Sequence, residues 1–218
     1  MDNIKHIGII PDGNRRWAIK NSLSYFSAYK KSMEHIAEVI EWVFDNNIQS
    51  LSIYLLSKEN IERTREDLDA VLEAEEFFIS NTLFPLCKVY DCKVKHAGNP
   101  NILPPQMKEE LEKICTHTVN YKKHKLYLLL GYNPIHEINA ALKQNNSKEI
   151  QIEDLYVSEK VDIVIRTAGG VSLLSNFLPL QCGYAQIYMI EDYFNDFNRE
   201  QFESVCNQAR NLKMLYGK

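Results

Sequence analysis

Apolar and polar positions along the chain alternate between two periods. Short apolar runs over residues 5–10, 48–57, 92–98, 125–132, 161–167 and 185–190 read as strands. Between them lie stretches with helical spacing. Residues 28–47 put Met33, Ile36, Val39, Ile40 and Val43 on one side. Thr64 followed by Asp67 resembles a capping box opening a helix over 65–84. Pro104 and Pro105 suit the first turn of a helix running to about Val119. Pro134 to Gln144 forms another helix, and Asn198 with Gln201 caps a last one. No internal repeat interrupts the pattern. Strand and helix in turn predict an α/β fold, a mainly parallel six-stranded sheet flanked by helices.

Sheets of this kind bind ligands beyond the carboxyl ends of their strands. That directs attention to "PDGNRRWA" (11–18), "SKENIER" (57–63), "GYNPIHE" (131–137) and "RTAGGVSLLSN" (166–176). In the first, Gly13 permits a turn that a Cβ would hinder. A helix starting after it would aim free N–H groups at an anion. Arg15 and Arg16 are forked donors matched to phosphate oxygens. Asp12 is out of place beside an anion unless a cation intervenes, and a carboxylate with phosphate oxygens is a magnesium environment. A capped turn with solvated arginines has the same letters. In the last stretch Arg166 ends an apolar strand, Thr167, Gly169 and Gly170 can form a backbone nest, and Ser175 and Asn176 add neutral donors. Two anion-binding ends in one sheet suggest two diphosphates. Lys58, Asn60 and Arg63 stand within reach of the first, in a loop that is otherwise ordinary.

Composition narrows the class. The chain has 218 residues, 45% hydrophobic and 25% charged, with a formal net charge of -4. One compact domain over 1–218 is expected, since no Gly/Ser or Pro-rich linker divides it. The charge lacks the basic excess of a nucleic-acid binder. No signal-like N-terminus and no membrane-length apolar run is present, so a cytoplasmic protein is expected. Five cysteines without CxxC spacing read as reduced thiols, and Cys87 with Cys92 lacks a second pair for zinc. The histidines show no ligand spacing. "YKKHK" (121–125) reads as a solvated turn that allows peripheral contact with an anionic membrane surface.

Together these segments resemble the cis-prenyltransferases, the family of undecaprenyl diphosphate synthase, from His6 to Gly217. The opening motif, H-x-x-x-I-M-D-G-N-x-R-W-A in the family, stands as His6 to Ala18 with Pro11 replacing methionine. "SKENIERT", "RTAGGVSLLSNFL" and "YAQ" (184–186) follow in order as counterparts of three further motifs. The resemblance implies a homodimer that joins an allylic prenyl diphosphate to isopentenyl diphosphate using magnesium. It implies that Asp12 holds the metal and that Gly13, Asn14, Arg15 or Arg16, and Trp17 cradle the allylic diphosphate. It further implies that Asn60 helps to position the reacting groups, that Ser57 and Arg63 contact substrate, and that Arg166 and Ser175 bind the second diphosphate.

Several positions depart from the family pattern. Val171 stands where a glutamate is expected, Leu173 or Leu174 replaces an arginine, and Gln186 replaces a glutamate near the expected cation. Tyr29 takes a histidine position, Tyr25 an arginine position, and "GYNPIHE" lacks the family arginine. The second diphosphate site is thus more altered than the first. Isopentenyl diphosphate or a second allylic diphosphate, joined in an irregular linkage, are both admitted as acceptor. A non-isoprenoid acceptor or cyclisation, or a weakly active subunit of a heteromer, are alternatives. Intact Asp12 argues against the subunit, as does "LYGK", which lacks an R-x-G ending. Leu55 replaces a small tunnel residue, which implies short products of roughly two to five isoprene units.

Overall fold

The computed structural model describes residues 4–62, 64–145, 149–168 and 173–211. Six strands form one sheet in the order β3-β4-β2-β1-β5-β6. They are β1 (His6–Ile10), β2 (Ser50–Ser57), β3 (Cys92–Ala97), β4 (His124–Tyr132), β5 (Ile163–Arg166) and β6 (Gln186–Met189). Every pairing is parallel. The sheet expected to be mainly parallel is wholly so, and each of its strands falls on one of the six apolar runs. The helices are α1 (Asn14–Lys20), α2 (Tyr25–Asp45), α3 (Arg65–Phe78), α4 (Phe84–Tyr90), α5 (Pro105–His117), α6 (Pro134–Asn145) and α7 (Arg199–Asn211).

The two faces of the sheet are covered differently. Ile7, Ile9, Leu51, Ile53, Leu126 and Leu128 pack under α2, α3, α5 and α7 in one large core. On the other face Ile10, Tyr54, Tyr127, Leu129 and Val164 are sealed by Val157, Val161, Phe177 and Leu178, which belong to irregular chain. Burial on both sides explains why the strands read as continuous apolar runs and not as alternation. Gly8 has a packing reason. A Cβ there would lie 2.6 Å from the Phe177 ring, which rests on the β1 backbone.

Some local expectations change. Thr64 makes no side-chain cap at the start of α3, and Asp67 is not half of a capping box: its carboxylate turns inward to Tyr29 and Arg15. The helix over 65–84 does not stop there either. It passes through a π-helical turn, Ile79–Leu83, into α4. Asn198 does cap α7, its Oδ1 accepting from Gln201 N while Gln201 Oε1 accepts from Asn198 N. All five cysteines are free. In the "YKKHK" run the amides of Lys122 and Lys123 donate to the Asp91 carboxylate, and Lys125 pairs with Glu159. No described helix is long and apolar enough to cross a membrane.

His6 shows what the two-sided burial demands. It is 1% exposed. Its Nε2 bonds Ser52 Oγ at 2.8 Å, and its Nδ1 bonds the Lys160 carbonyl at 3.1 Å. Burial lowers its pKa to about 4 despite the nearby carboxylates of Glu159 and Asp162. The folded state therefore holds a neutral imidazole that the unfolded chain protonates below its ordinary pKa. This stability is complete above about pH 6.5 and falls as pH drops towards 4, by about 3 kcal/mol in all. Urea titrations from pH 7 to pH 4.5 should show a steeper loss for the wild type than for His6→Gln; equal slopes would contradict the assignment.

Candidate active site

The site forms where β1 and β5, side by side, send their following chains in opposite directions, the topological switch point of the sheet. Thr167 stitches the two ends together. Its hydroxyl donates to the Asp12 carbonyl at 2.9 Å and accepts from Asp12 N at 3.0 Å. The chain then turns at Gly13, φ 100°, where a Cβ would lie 2.6 Å from Ala168 Cβ and 2.7 Å from the Tyr193 ring. Only glycine meets both demands.

That turn presents Asp12 to two guanidinium groups. Arg166 Nη2 donates to Oδ2 at 2.8 Å, and Arg16 Nη2 lies 3.6 Å from Oδ1. Gly13 N also donates to Oδ1, at 2.6 Å. Arg166 reaches on through Nη1 to Ser175 Oγ at 2.9 Å and to the Leu173 carbonyl. Its buried Nε has no hydrogen-bond partner among the described residues. Arg15 is held from another side. Asp67, 2% exposed, takes its Nη1 at 3.1 Å and the Tyr29 hydroxyl at 3.0 Å. Three guanidinium groups thus face two carboxylates, leaving an excess of positive charge.

A cavity of about 430 Å³ opens beneath. Asp12, Gly13, Asn14, Arg15, Arg16, Arg166 and Ser175 line its polar mouth. Tyr29, Leu55, Ser57 and Asn60 line it further round, with Ile19, Tyr54 and Val71 adding apolar wall. Ser57 Oγ accepts from Asn60 N at 3.1 Å, which fixes the start of the loop after β2. Pairing between β2 and β4 slips at Tyr54, Leu56 and Ser57, a bulge at the strand end beside the cavity.

Two expected site residues are placed otherwise or not at all. Trp17 does not line the cavity. It is 5% exposed and its Nε1 donates to Asp196 at 2.8 Å, so it anchors α1 from behind. Arg63 lies outside the described residues, as do Gly169, Gly170 and Val171. α1 has only seven residues, so its N-terminal dipole is small beside the three guanidinium groups. "GYNPIHE" is also separate: Gly131, Asn133, Ile135 and His136 line a smaller cavity of about 220 Å³ with Lys58.

Sequence reasoning missed Asp67, Tyr54 and Glu59. Asp67 looked like a cap, and nothing near it in sequence announces Tyr29 or Arg15. Tyr54 looked like strand filler. Glu59 was on view in "SKENIER". Burial by itself would raise its carboxyl. Bonds from its own N–H, Ser57, Asn133 and Asn176 outweigh that and hold it below the usual range. It thereby ties three carboxyl-end loops together.

A family model described as "Putative undecaprenyl diphosphate synthase" matches residues 10–217. The chain belongs to this cis-prenyltransferase family. It is 31% identical to an isoprenyl transferase of Rickettsia prowazekii (strain Madrid E), covering 100% of both. It is 28% identical to a tritrans,polycis-undecaprenyl-diphosphate synthase (geranylgeranyl-diphosphate specific) of Pyrobaculum aerophilum, covering 98% of this chain and 95% of that one. Its fold matches lavandulyl diphosphate synthase from Lavandula x intermedia in complex with dimethylallyl diphosphate, with a TM-score of 0.90 at 20% identity over 98% of each chain. It also matches a probable undecaprenyl diphosphate synthase from Campylobacter jejuni, with a TM-score of 0.84 at 22% identity over 100% of each.

In this prenyltransferase one substitution proves remote from Asp12 within the chain. Gln186 begins β6 in register with Ile163, three positions or about 10 Å short of the Arg166 level. It accepts from Tyr188 OH at 2.8 Å and donates to the Ala209 carbonyl at 3.4 Å. The expected loss of charge beside the Asp12 cation is therefore corrected for the single chain. The position of Trp17 gives a test. Trp17→Phe should lower the thermal midpoint, by about 1 kcal/mol of stability for the lost bond, and leave the KM for allylic substrate within about twofold. A large KM rise at unchanged stability would return Trp17 to the cradle.

Proposed function

We propose that the cavity binds an allylic prenyl diphosphate, ionises it, and joins its carbon to isopentenyl diphosphate or to a second allylic diphosphate, giving a short-chain isoprenoid. Prenyl transfer as the reaction class comes with the family; the substrates and product are this proposal. The observation that carries it is the Asp12–Arg166–Ser175 chain of contacts at the mouth of a cavity with Ile19, Leu55 and Val71 in its wall. The same cavity is lined by anion-binding groups and by apolar side chains, the two kinds of surface that a prenyl diphosphate needs.

Magnesium fits the donor set without being enclosed by it. No group of three or more acid, histidine or cysteine side chains occurs among the described residues. Asp12 offers one carboxylate, which suffices for an ion that takes its other ligands from phosphate and water. Asp12 would hold it, and the bound ion would supply neutralising charge to the diphosphate oxygens. Arg15 and Arg16 supply forked donors to the leaving diphosphate as the C–O bond breaks and its electron pair passes to oxygen. Arg166 and Ser175 hold the acceptor's diphosphate. Asn60, at the loop after β2, orients the two substrates. The acceptor alkene then donates its π electrons to form the new C–C bond. A proton leaves the neighbouring carbon to the departed diphosphate and restores a double bond. Leu55 and Val71, both largely buried, keep water from the carbocation. We place the reaction in a homodimer in the cytoplasm, with contact to a membrane surface confined to the periphery.

Purified chain with magnesium should turn over dimethylallyl, geranyl, farnesyl or geranylgeranyl diphosphate, each tested with and without isopentenyl diphosphate. Product without isopentenyl diphosphate favours the irregular join or cyclisation, product only with it favours ordinary elongation, and no product at all removes the proposal. Asp12→Asn should cost about 100-fold or more in kcat. Leu55 is 9% exposed at the cavity wall. Leu55→Ala should lengthen the product by at least one isoprene unit by mass spectrometry, and an unchanged product would remove its role in length control.

A further inference from the structure

The loop carrying Ser175 is held against its own backbone preferences. Ser175, Asn176 and Leu178 stand at φ 49°, 64° and 40° without being glycine. Such backbone persists where surrounding contacts over-determine it. Two contacts reach Ser175. Arg166 Nη1 donates to its hydroxyl at 2.9 Å, and the Tyr54 hydroxyl donates to its backbone carbonyl at 3.1 Å. The first must be shared once a diphosphate arrives, because the same Nη1 and Oγ face the ligand. The second is made to the backbone and does not compete.

Tyr54 is itself well fixed. It is 8% exposed. Its ring meets Tyr132 edge-on at 6.0 Å and Phe177 at 5.5 Å. Tyr132 in turn donates to the buried Glu137 at 2.6 Å. Burial pushes the Tyr54 phenol well above the ordinary tyrosine range, so it stays a donor at any working pH. We propose that Tyr54 is a positioning residue for the acceptor diphosphate: through the Ser175 carbonyl its hydroxyl holds Ser175 Oγ and Arg166 Nη1 in the arrangement that receives the ligand. This rests on the prenyl diphosphate reading of the cavity. The effect centres on the second anion position, because Arg15 is held by Asp67 and Arg16 meets Oδ1 of Asp12, the oxygen that Arg166 does not take.

The test compares Tyr54→Phe, Ser175→Ala and the double variant. Each is assayed with the allylic and isopentenyl diphosphates varied in turn, and titrated with inorganic pyrophosphate by calorimetry. Phenylalanine keeps the ring contacts and removes the hydroxyl, with its bonds to the Ser175 carbonyl and to Ser57. Expected in Tyr54→Phe is about a tenfold rise in KM for isopentenyl diphosphate with kcat within about twofold. The allylic KM should not move, and adding Tyr54→Phe to Ser175→Ala should raise the acceptor KM no further. Effects that multiply in the double variant, or an equal rise in both KM values, would overturn the assignment. Turnover indifferent to Tyr54→Phe would remove the positioning role alone. If no diphosphate turns over and the wild type binds no pyrophosphate, the functional reading falls and this inference with it.

Discussion

Two of the three arginines at the cavity are arranged around one carboxylate. Asp12 follows the carboxyl end of β1 and takes a guanidinium from β5 and another from α1. Without it, Arg16 and Arg166 would repel each other across the gap between two diverging chains. With it, they are spaced and oriented before any ligand arrives. Arg166 is 13% exposed and Asp12 36% exposed, so the pair is neither fully screened by water nor fully desolvated. An ion pair in that intermediate setting is strong enough to fix geometry without the full cost of burying two charges.

The same economy governs Arg15. Asp67 is buried, and a buried acid left alone would be costly. The Tyr29 hydroxyl and Arg15 share it, so the charge that would oppose an incoming anion is spent on orienting a group that attracts one. Glu59 does the equivalent for the loops, gathering Asn133 and Asn176. Two of these acids therefore orient arginines that line the cavity, and the third orients loops beside it.

Much of this could be read from the residues and some could not. The six strands were legible because parallel strands buried on both faces leave apolar runs, and the runs ended where polar, glycine-containing segments began. Gly13, Arg16 and Arg166 were legible as residues beyond strand ends, where a capped turn with solvated arginines had the same letters, and the structure puts all three on one cavity. Trp17 was misplaced because motif membership does not say which way a side chain points, and an indole N–H with Asp196 in reach is drawn into the core. Asp67 was misread because the i, i+3 spacing of a cap competes with a partner 38 residues away that only the fold supplies. The bulge in β2, which shifts pairing between Tyr54 and Ser57, leaves no mark in the letters.

The contact between Gly8 and Phe177 reaches further than packing. The ring lies on bare main chain in the middle of β1, and the residues flanking it in sequence, Asn176 and Leu178, are those with left-handed backbone. A strand therefore serves as the template for a loop. Any side chain at position 8 would push on the far end of the Phe177 ring, and a smaller group at 177 would leave the Ser175 segment without that rest. Designers reshaping this loop should treat the two as a single choice.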